Sequence, residues 1–409
     1  MLPSAATFKL PPKKRGRGSV TANLHDYALL CFIKDMLHNS LYIHIPFCVR
    51  KCRYCDFNSI VSESKTIDRY LHAIEKELSV LNGRYVFNTV YIGGGTPSIL
   101  TEVQLEKLLH SVIRYIPSSE IQEYTVEANP GTLTVNKIGL LKEYMVNRIS
   151  LGVQSFQDRQ LKYLGRIHSG NDAGNAFVSL RKAGFKNINV DLIFGSPEQS
   201  LDDWEKDLKT VVELGPDHIS TYALTYEEGT SLTRDLEDAA IHKLDEYVEL
   251  EMYKTSIRYL TSNGYNHYEI SNFAKYGYEC AHNHVYWKNI GYVGIGAGAY
   301  SFIDGVRTSN EKDVFKYIDG INENKNVKSF REKLELNQFA SETVVMALRL
   351  RQGISNTDFY ERFGYTIEDQ FGEQMNRLAK YGLVSYENER LKLTEKGLFV
   401  ADTVMTEFI

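Results

Sequence analysis

His44-Ile45-Pro46-Phe47-Cys48-Val49-Arg50-Lys51-Cys52-Arg53-Tyr54-Cys55-Asp56-Phe57 places three cysteines within eight residues, directly after a short strand-like run. Three thiolates on one loop, Cys48, Cys52 and Cys55, can hold three irons of a [4Fe–4S] cube. They leave the fourth iron open to a ligand that is not protein, whereas such clusters ordinarily take four cysteines. Other readings compete. A structural zinc site wants four ligands in a closed tetrahedron, usually supplied as two pairs; here one trio is local, and His44 is the nearest further candidate. A disulfide framework fits poorly with an odd count of five cysteines in a long chain. Inert buried cysteines occur singly rather than as a trio at this spacing.

Outward from this loop, 409 residues suffice for a full core and suggest two or three domains. Charge is balanced, and no run of 18 apolar residues offers a membrane span. Five cysteines without a secretory signal point to a reducing compartment, hence a cytoplasmic protein. The 27 tyrosines suit sites that stack on flat ligands. The first 35 residues stand apart, with Lys9, Lys13, Lys14, Arg15, Arg17 and Lys34 against Asp26 and Asp35. This segment could be a transit peptide, a nucleic-acid arm, or a disordered extension upstream of a start at Met36. The last is the reading preferred here, with Cys31 incidental.

From residue 41 short β runs alternate with amphipathic helices. Strands are expected at 41–45, 89–92, 123–127, 148–151, 187–193 and 218–221. A helix is expected over 67–81, and Thr101 with Gln104 forms a capping-box pattern before another. The strands are too short and apolar for an open antiparallel sheet, and helical crossovers imply parallel strands. Every unusual motif follows a strand, and in a parallel βα barrel those loops meet on one rim. The expectation is an α/β fold, a partial barrel of six βα units open on one side.

The loops carry the candidate chemistry. Gly93-Gly94-Gly95-Thr96-Pro97 lets backbone approach a ligand, and is neither a phosphate loop nor a dinucleotide fingerprint; alone it would be a turn. Glu127 could anchor an ammonium or ribose hydroxyls. Gln154 and Asp191 offer acceptors at the ends of the fourth and fifth strands. Arg166 could pair with a carboxylate through a charge-assisted fork. Each could instead satisfy loop backbone.

The ordered set of motifs resembles the radical S-adenosylmethionine (SAM) superfamily, in its coproporphyrinogen-dehydrogenase-like branch. Tyr42-Ile43-His44-Ile45-Pro46-Phe47-Cys48, the glycine loop, Gly152-Val153-Gln154-Ser155-Phe156 and Asp191-Leu192-Ile193-Phe194-Gly195 carry the likeness. The resemblance implies a [4Fe–4S] cluster on Cys48, Cys52 and Cys55 whose open iron is chelated by SAM. It places SAM contacts on Tyr42, Tyr54, Gly94, Gly95, Thr96, Glu127, Gln154, Arg166 and Asp191, and implies an electron donor to the cluster.

Two functions live in that branch. The oxygen-independent coproporphyrinogen III oxidase decarboxylates two propionates; the heme chaperones of the HemW type bind heme and deliver it to respiratory enzymes. The oxidase pattern has a fourth cysteine where this chain has Phe57, and a longer structured N-terminal segment. The chaperone pattern His-Asn-x-x-Tyr-Trp is met by His282-Asn283-His284-Val285-Tyr286-Trp287. From chemistry alone this would be a capped turn with core aromatics. The resemblance makes His282 the favoured heme ligand, a common axial role for histidine, with His284 and then Cys280 as fallbacks. A heme chaperone is therefore expected, one that could meet apo heme-protein clients at a membrane surface, with the oxidase as alternative. SAM could be cleaved to gate heme release or serve structurally.

The expected organisation is a basic extension at 1–39, the barrel at 40–265, a connecting region with the heme motif at 266–333, and a winged-helix-like α+β domain at 334–409. That last domain, from Glu335, carries eight Lys/Arg against twelve Asp/Glu. A phosphate-binding surface wants the opposite sign, so no nucleic-acid partner is expected. A cover over the barrel or a docking surface for a client fits better.

Overall fold

The structure, a computed structural model, describes residues 39–409; the expectations for the basic segment, for Cys31 and for a start at Met36 lie outside them. β1 (Asn39–Ile45), β2 (Phe87–Gly94), β3 (Glu123–Ala128), β4 (Arg148–Gln154), β5 (Asn187–Phe194) and β6 (His218–Ala223) lie side by side in chain order, all parallel. Helical segments such as Ser64–Leu81, Glu102–Tyr115 and Leu201–Leu214 cross between them. Thr101 and Gln104 make the expected reciprocal cap.

The strands are not uniformly apolar. They alternate, with Ser40, Tyr42 and His44 on one face of β1 and Leu41, Ile43 and Ile45 on the other. The same two-residue period runs through Thr89/Val90/Tyr91/Ile92, Glu123/Tyr124/Thr125/Val126 and Arg148/Ile149/Ser150/Leu151. The aliphatic face joins helix side chains such as Leu71, Ile74 and Leu108 in the main core. Each such side chain is worth about 1.5–3 kcal/mol on burial. The polar face turns into the barrel and bonds to itself across strands: Thr89 to Ser40 (2.7 Å), Ser150 to Asp191 (3.1 Å), and His218 to Asn189 (2.6 Å). A buried polar lumen, rather than an aliphatic one, therefore runs between the two ends of the barrel.

The segment 266–333, expected as a connecting region, contributes six strands to the same twelve-stranded sheet. β7 (Asn266–Glu269) and β8 (Asn272–Ala274) form a hairpin that extends the sheet antiparallel beyond β6. β9 (Tyr292–Ile295) pairs parallel with β1, and β10 (Tyr300–Ile303), β11 (Val306–Asn310) and β12 (Lys328–Lys333) follow as an antiparallel meander. Strands of three to six residues give too few periods to register in sequence.

The last part packs helices Leu336–Ala347, Asn356–Phe363 and Ile367–Lys380 with a small sheet of β13 (Ile354–Ser355), β14 (Val384–Glu387) and β15 (Arg390–Leu393), ordered β13-β15-β14. Its own core includes Phe359, Phe363, Phe371 and Leu391. The two-residue β13 was not expected.

Candidate functional site: a cysteine loop above and a histidine motif below one lumen

The cysteine loop leaves β1 at the C-terminal rim and is pinned at its base. Cys48 N–H donates to Ile60 O (3.0 Å), and Ile60 N–H to Pro46 O (2.8 Å). His44 donates from Nε2 to Asn58 O (2.8 Å), so its Nδ1 accepts from Tyr42 OH (2.9 Å). Burial lowers the His44 pKa and keeps this neutral tautomer. Arg53 ties the far side to Tyr163 O (2.9 Å) and to Asp235 (2.6 Å). Tyr42 thus serves the loop's own scaffold.

Cys48, Cys52 and Cys55 are half-buried and free. Burial pushes the Cys48 thiol up and the Cys55 thiol up to about 12, so ligation must displace protons. Among the described residues no three His, Cys, Asp or Glu side chains converge as a single metal ion requires.

The glycine loop seats directly on this loop. Gly95 N–H donates to Ile45 O and Thr96 N–H to Phe47 O, both at 2.8 Å. Gly94 has φ +111°, a left-handed conformation, and a Cβ there would strike the His44 ring. A Cβ at Gly95 would lie 2.6 Å from Phe47 O. The amides of Gly94, Gly95 and Thr96 are all committed within the chain, so a ligand here would meet carbonyl oxygens. Thr96 Oγ1 lies 3.7 Å from Cys48 Sγ and accepts from Asn129 Nδ2 at 3.0 Å.

Around the rim, Glu127 accepts from Tyr91 OH (2.8 Å) and from Gly94 N–H (3.0 Å); burial raises its pKa. Gln154, buried at the end of β4 with φ +71°, has an Oε1 without a partner among the described residues. Arg166 reaches from the turn after helix Asp158–Leu164 to Cys52 Sγ (3.4 Å), Asn129 Oδ1 (2.7 Å) and Gly152 O (2.6 Å), and its Nε is unpartnered. Tyr54 is buried with Leu164, Ile193 and Leu224 beside Cys52 and Cys55. Asp191 sits deeper than its expected strand-end place, accepting from Ser150 and from Asn189 Nδ2 (2.8 Å). The residues fit a cluster and a polar ligand: three open thiols, a guanidinium on one of them, and unpaired buried polar atoms beside them. Asn129 and Tyr91 were missed in sequence. Asn129 had a signal, its place in the strand-end turn Ala128-Asn129-Pro130.

The histidine motif forms helix Ala281–Trp287 at the opposite end of the lumen. Glu123, first residue of β3, accepts from Ala281 N–H (2.9 Å), His282 N–H (3.0 Å) and Cys280 Sγ (3.4 Å). It serves as a cap donated by another element, legible only as a polar residue opening a strand. His282 is buried, its Nδ1 2.7 Å from Thr89 Oγ1 and its Nε2 2.9 Å from Tyr286 OH. Burial, with Arg148 nearby, lowers its pKa to about 3. The Tyr91 ring lies 5.1 Å away. Both ring nitrogens of His282 are engaged, so ligation of a metal requires Thr89 or Tyr286 to let go. His284 keeps an unpartnered Nδ1, with Nε2 3.3 Å from Glu279. Cys280 is fully buried, its thiol pushed up to about 12.

Comparison with known proteins places this geometry. Residues 42–211 match the Radical SAM superfamily and residues 334–400 the HemN C-terminal domain. A Bacillus subtilis (strain 168) protein named heme chaperone HemW is 38% identical over 374 residues, covering 90% of this chain and 99% of its own length. Its Escherichia coli (strain K12) namesake is 33% identical over 380 residues, covering 90% and 98%. The solved structure of Escherichia coli coproporphyrinogen III oxidase (HemN), a radical SAM enzyme, aligns with TM-score 0.81 at 24% identity, over 93% of this chain and 92% of that one. That likeness is one of fold.

Proposed function

This chain belongs to the radical SAM superfamily and, within it, to the family of heme chaperones named HemW, and we propose that it binds heme and hands it to apo heme enzymes. The observation that carries the reading is the pairing of two sites on one barrel: a three-cysteine rim without a fourth cysteine at Phe57, and the His282–Trp287 helix at the other end of the lumen. No helix among the described residues is long and apolar enough to cross a membrane; the reading places the protein in the cytoplasm, meeting clients peripherally.

In this reading Cys48, Cys52 and Cys55 hold a [4Fe–4S] cluster, which together with SAM supplies one-electron chemistry given an external donor. The rest is done by side chains. Arg166, 3.4 Å from Cys52 Sγ, offsets thiolate charge and turns its free Nε toward an anionic group. The open Gln154 Oε1 accepts from a hydroxyl such as ribose, and Glu127 offers its remaining lone pairs to an ammonium. Tyr54 walls off the sulfur side, and Asp191 fixes the lumen beneath. His282 supplies an imidazole to heme once its bond to Tyr286 opens.

The deciding experiment is anaerobic reconstitution with iron and sulfide, then heme titration and a coproporphyrinogen assay on the same sample. A Soret band that changes in His282→Ala, with no porphyrin product, supports the chaperone. Decarboxylation in proportion to protein supports the oxidase and overturns it.

A further inference from the structure

Unpaired polar atoms gather where the motif helix meets the C-terminal domain. The segment Arg349–Arg351 leaves helix Leu336–Ala347 and runs along β7, with Ile270 N–H donating to Arg349 O (3.1 Å) and Arg351 N–H to Tyr268 O (2.9 Å). This anchoring fixes Arg349 beside the motif helix, with Arg351 two residues further along the same segment. The Arg349 guanidinium lies 4.4 Å over the Trp287 ring, and Trp287 packs with Tyr268 and Leu350 in one small apolar cluster.

The charge there is not neutralised by short contacts. Arg349 Nε and Arg351 Nη1 are buried without a hydrogen-bond partner among the described residues, and neither guanidinium makes an ion pair within 4.0 Å. Trp287 Nε1 and Asn283 Oδ1 are likewise unpartnered. The nearby carboxylate is Glu269; its Oε1 is taken by Asn272 and its Oε2 is unpartnered, and burial raises its pKa while the attraction of Arg349 pulls it down without a contact within 4.0 Å. Buried donors without acceptors are rare in native proteins and call for a missing partner. A planar fork stacked on an indole is preorganised for a carboxylate.

Resting on the heme reading above, we propose that Arg349 and Arg351 receive the propionate carboxylates of heme at the Trp287 end of the motif helix. His282 and Trp287 stand at the two ends of the same short helix, Ala281–Trp287. The C-terminal domain thereby contributes to the heme site.

The test compares heme with heme dimethyl ester, whose propionates carry no charge, by Soret titration of the full chain. The wild type binds heme at least about tenfold more tightly than the ester, and the Arg349→Gln, Arg351→Gln double variant loses that preference, as expected for a lost charge-assisted pair. Equal wild-type affinity for acid and ester overturns the inference while leaving heme binding intact. A wild type with no Soret response to either ligand overturns the heme reading itself. The wild-type comparison needs no variant to fold.

Discussion

At the scale of single residues, the cysteine trio was legible because its chemistry is local in sequence. The need for the glycines was legible only in part. Their flexibility reads as ligand approach, yet Gly94 and Gly95 are first required by His44 and Phe47, partners set by the register of β1 on β2. Gly95→Ala would drive a Cβ to 2.6 Å from Phe47 O. The strain should cost about 1–3 kcal/mol and displace the cysteine loop, so reconstituted iron should fall while the melting temperature drops. Gly174→Ala, in a helix with open space around the glycine, should leave both unchanged or raise stability slightly. Equal iron loading in the two variants would show that the glycine loop does not seat the cysteines. His282 was legible as a motif but not as a buried side chain with both ring nitrogens engaged, because Thr89 and Tyr286 reach it only in the folded lumen.

Among the elements, all six parallel strands and the first two crossover helices could be read from period and punctuation, and each observed strand contains its expected span. The alternation within those strands carried more information than their overall apolarity, since it specifies a polar lumen. β7 to β12 were illegible because each is short, and because β8 and β9, which join the hairpin and the meander to the sheet, pair with β6 and β1, strands distant in sequence. The motif helix has seven residues, too few to persist alone, and its N-terminus depends on Glu123. Glu123→Ala should remove the acceptor for two amides and a thiol, costing about 1–3 kcal/mol. Amide exchange at Ala281 and His282 should rise well before global unfolding; unchanged protection there would mean that the helix is held from its other end, by Arg362 on Lys288 O and Asn289 O. By contrast Thr101→Ala removes the cap of helix Glu102–Tyr115 and should cost about 1 kcal/mol in denaturant titration without touching iron loading.

For the whole molecule, filling a barrel with polar side chains ties stability to protonation. His168 and His267 are buried, and burial lowers each pKa from 6.5 to about 4; burial also holds His218 well below its ordinary value. His168 bonds to Val153 O at 3.0 Å, beside Gln154 at the end of β4, and His267 stacks on Phe273 in the β7–β8 hairpin. Between pH about 4 and 6.5 the unfolded chain binds protons at these sites and the folded chain does not. Their stabilisation is therefore complete above pH 6.5 and is lost as pH falls toward 4, at about 1.4 kcal/mol per unit for each group. Asp207 acts in the opposite sense: burial raises its pKa from 3.8 to about 6 against the opposing pull of the Ser155 hydrogen bond, so it favours the folded chain as pH falls through 6. In all, six histidines are shifted down (His44, His168, His218, His267, His282 and His284) against five carboxyls shifted up (Glu77, Glu127, Asp207, Glu249 and Glu269), and the ordinary histidine value of 6.5 puts the histidines' loss inside the window from pH 7 to 5. The apo protein should show a lower denaturation midpoint at pH 5 than at pH 7, and His267→Phe, which keeps a ring against Phe273, should flatten that slope. A midpoint that rises toward pH 5 would mean that these imidazoles are already protonated in the folded chain.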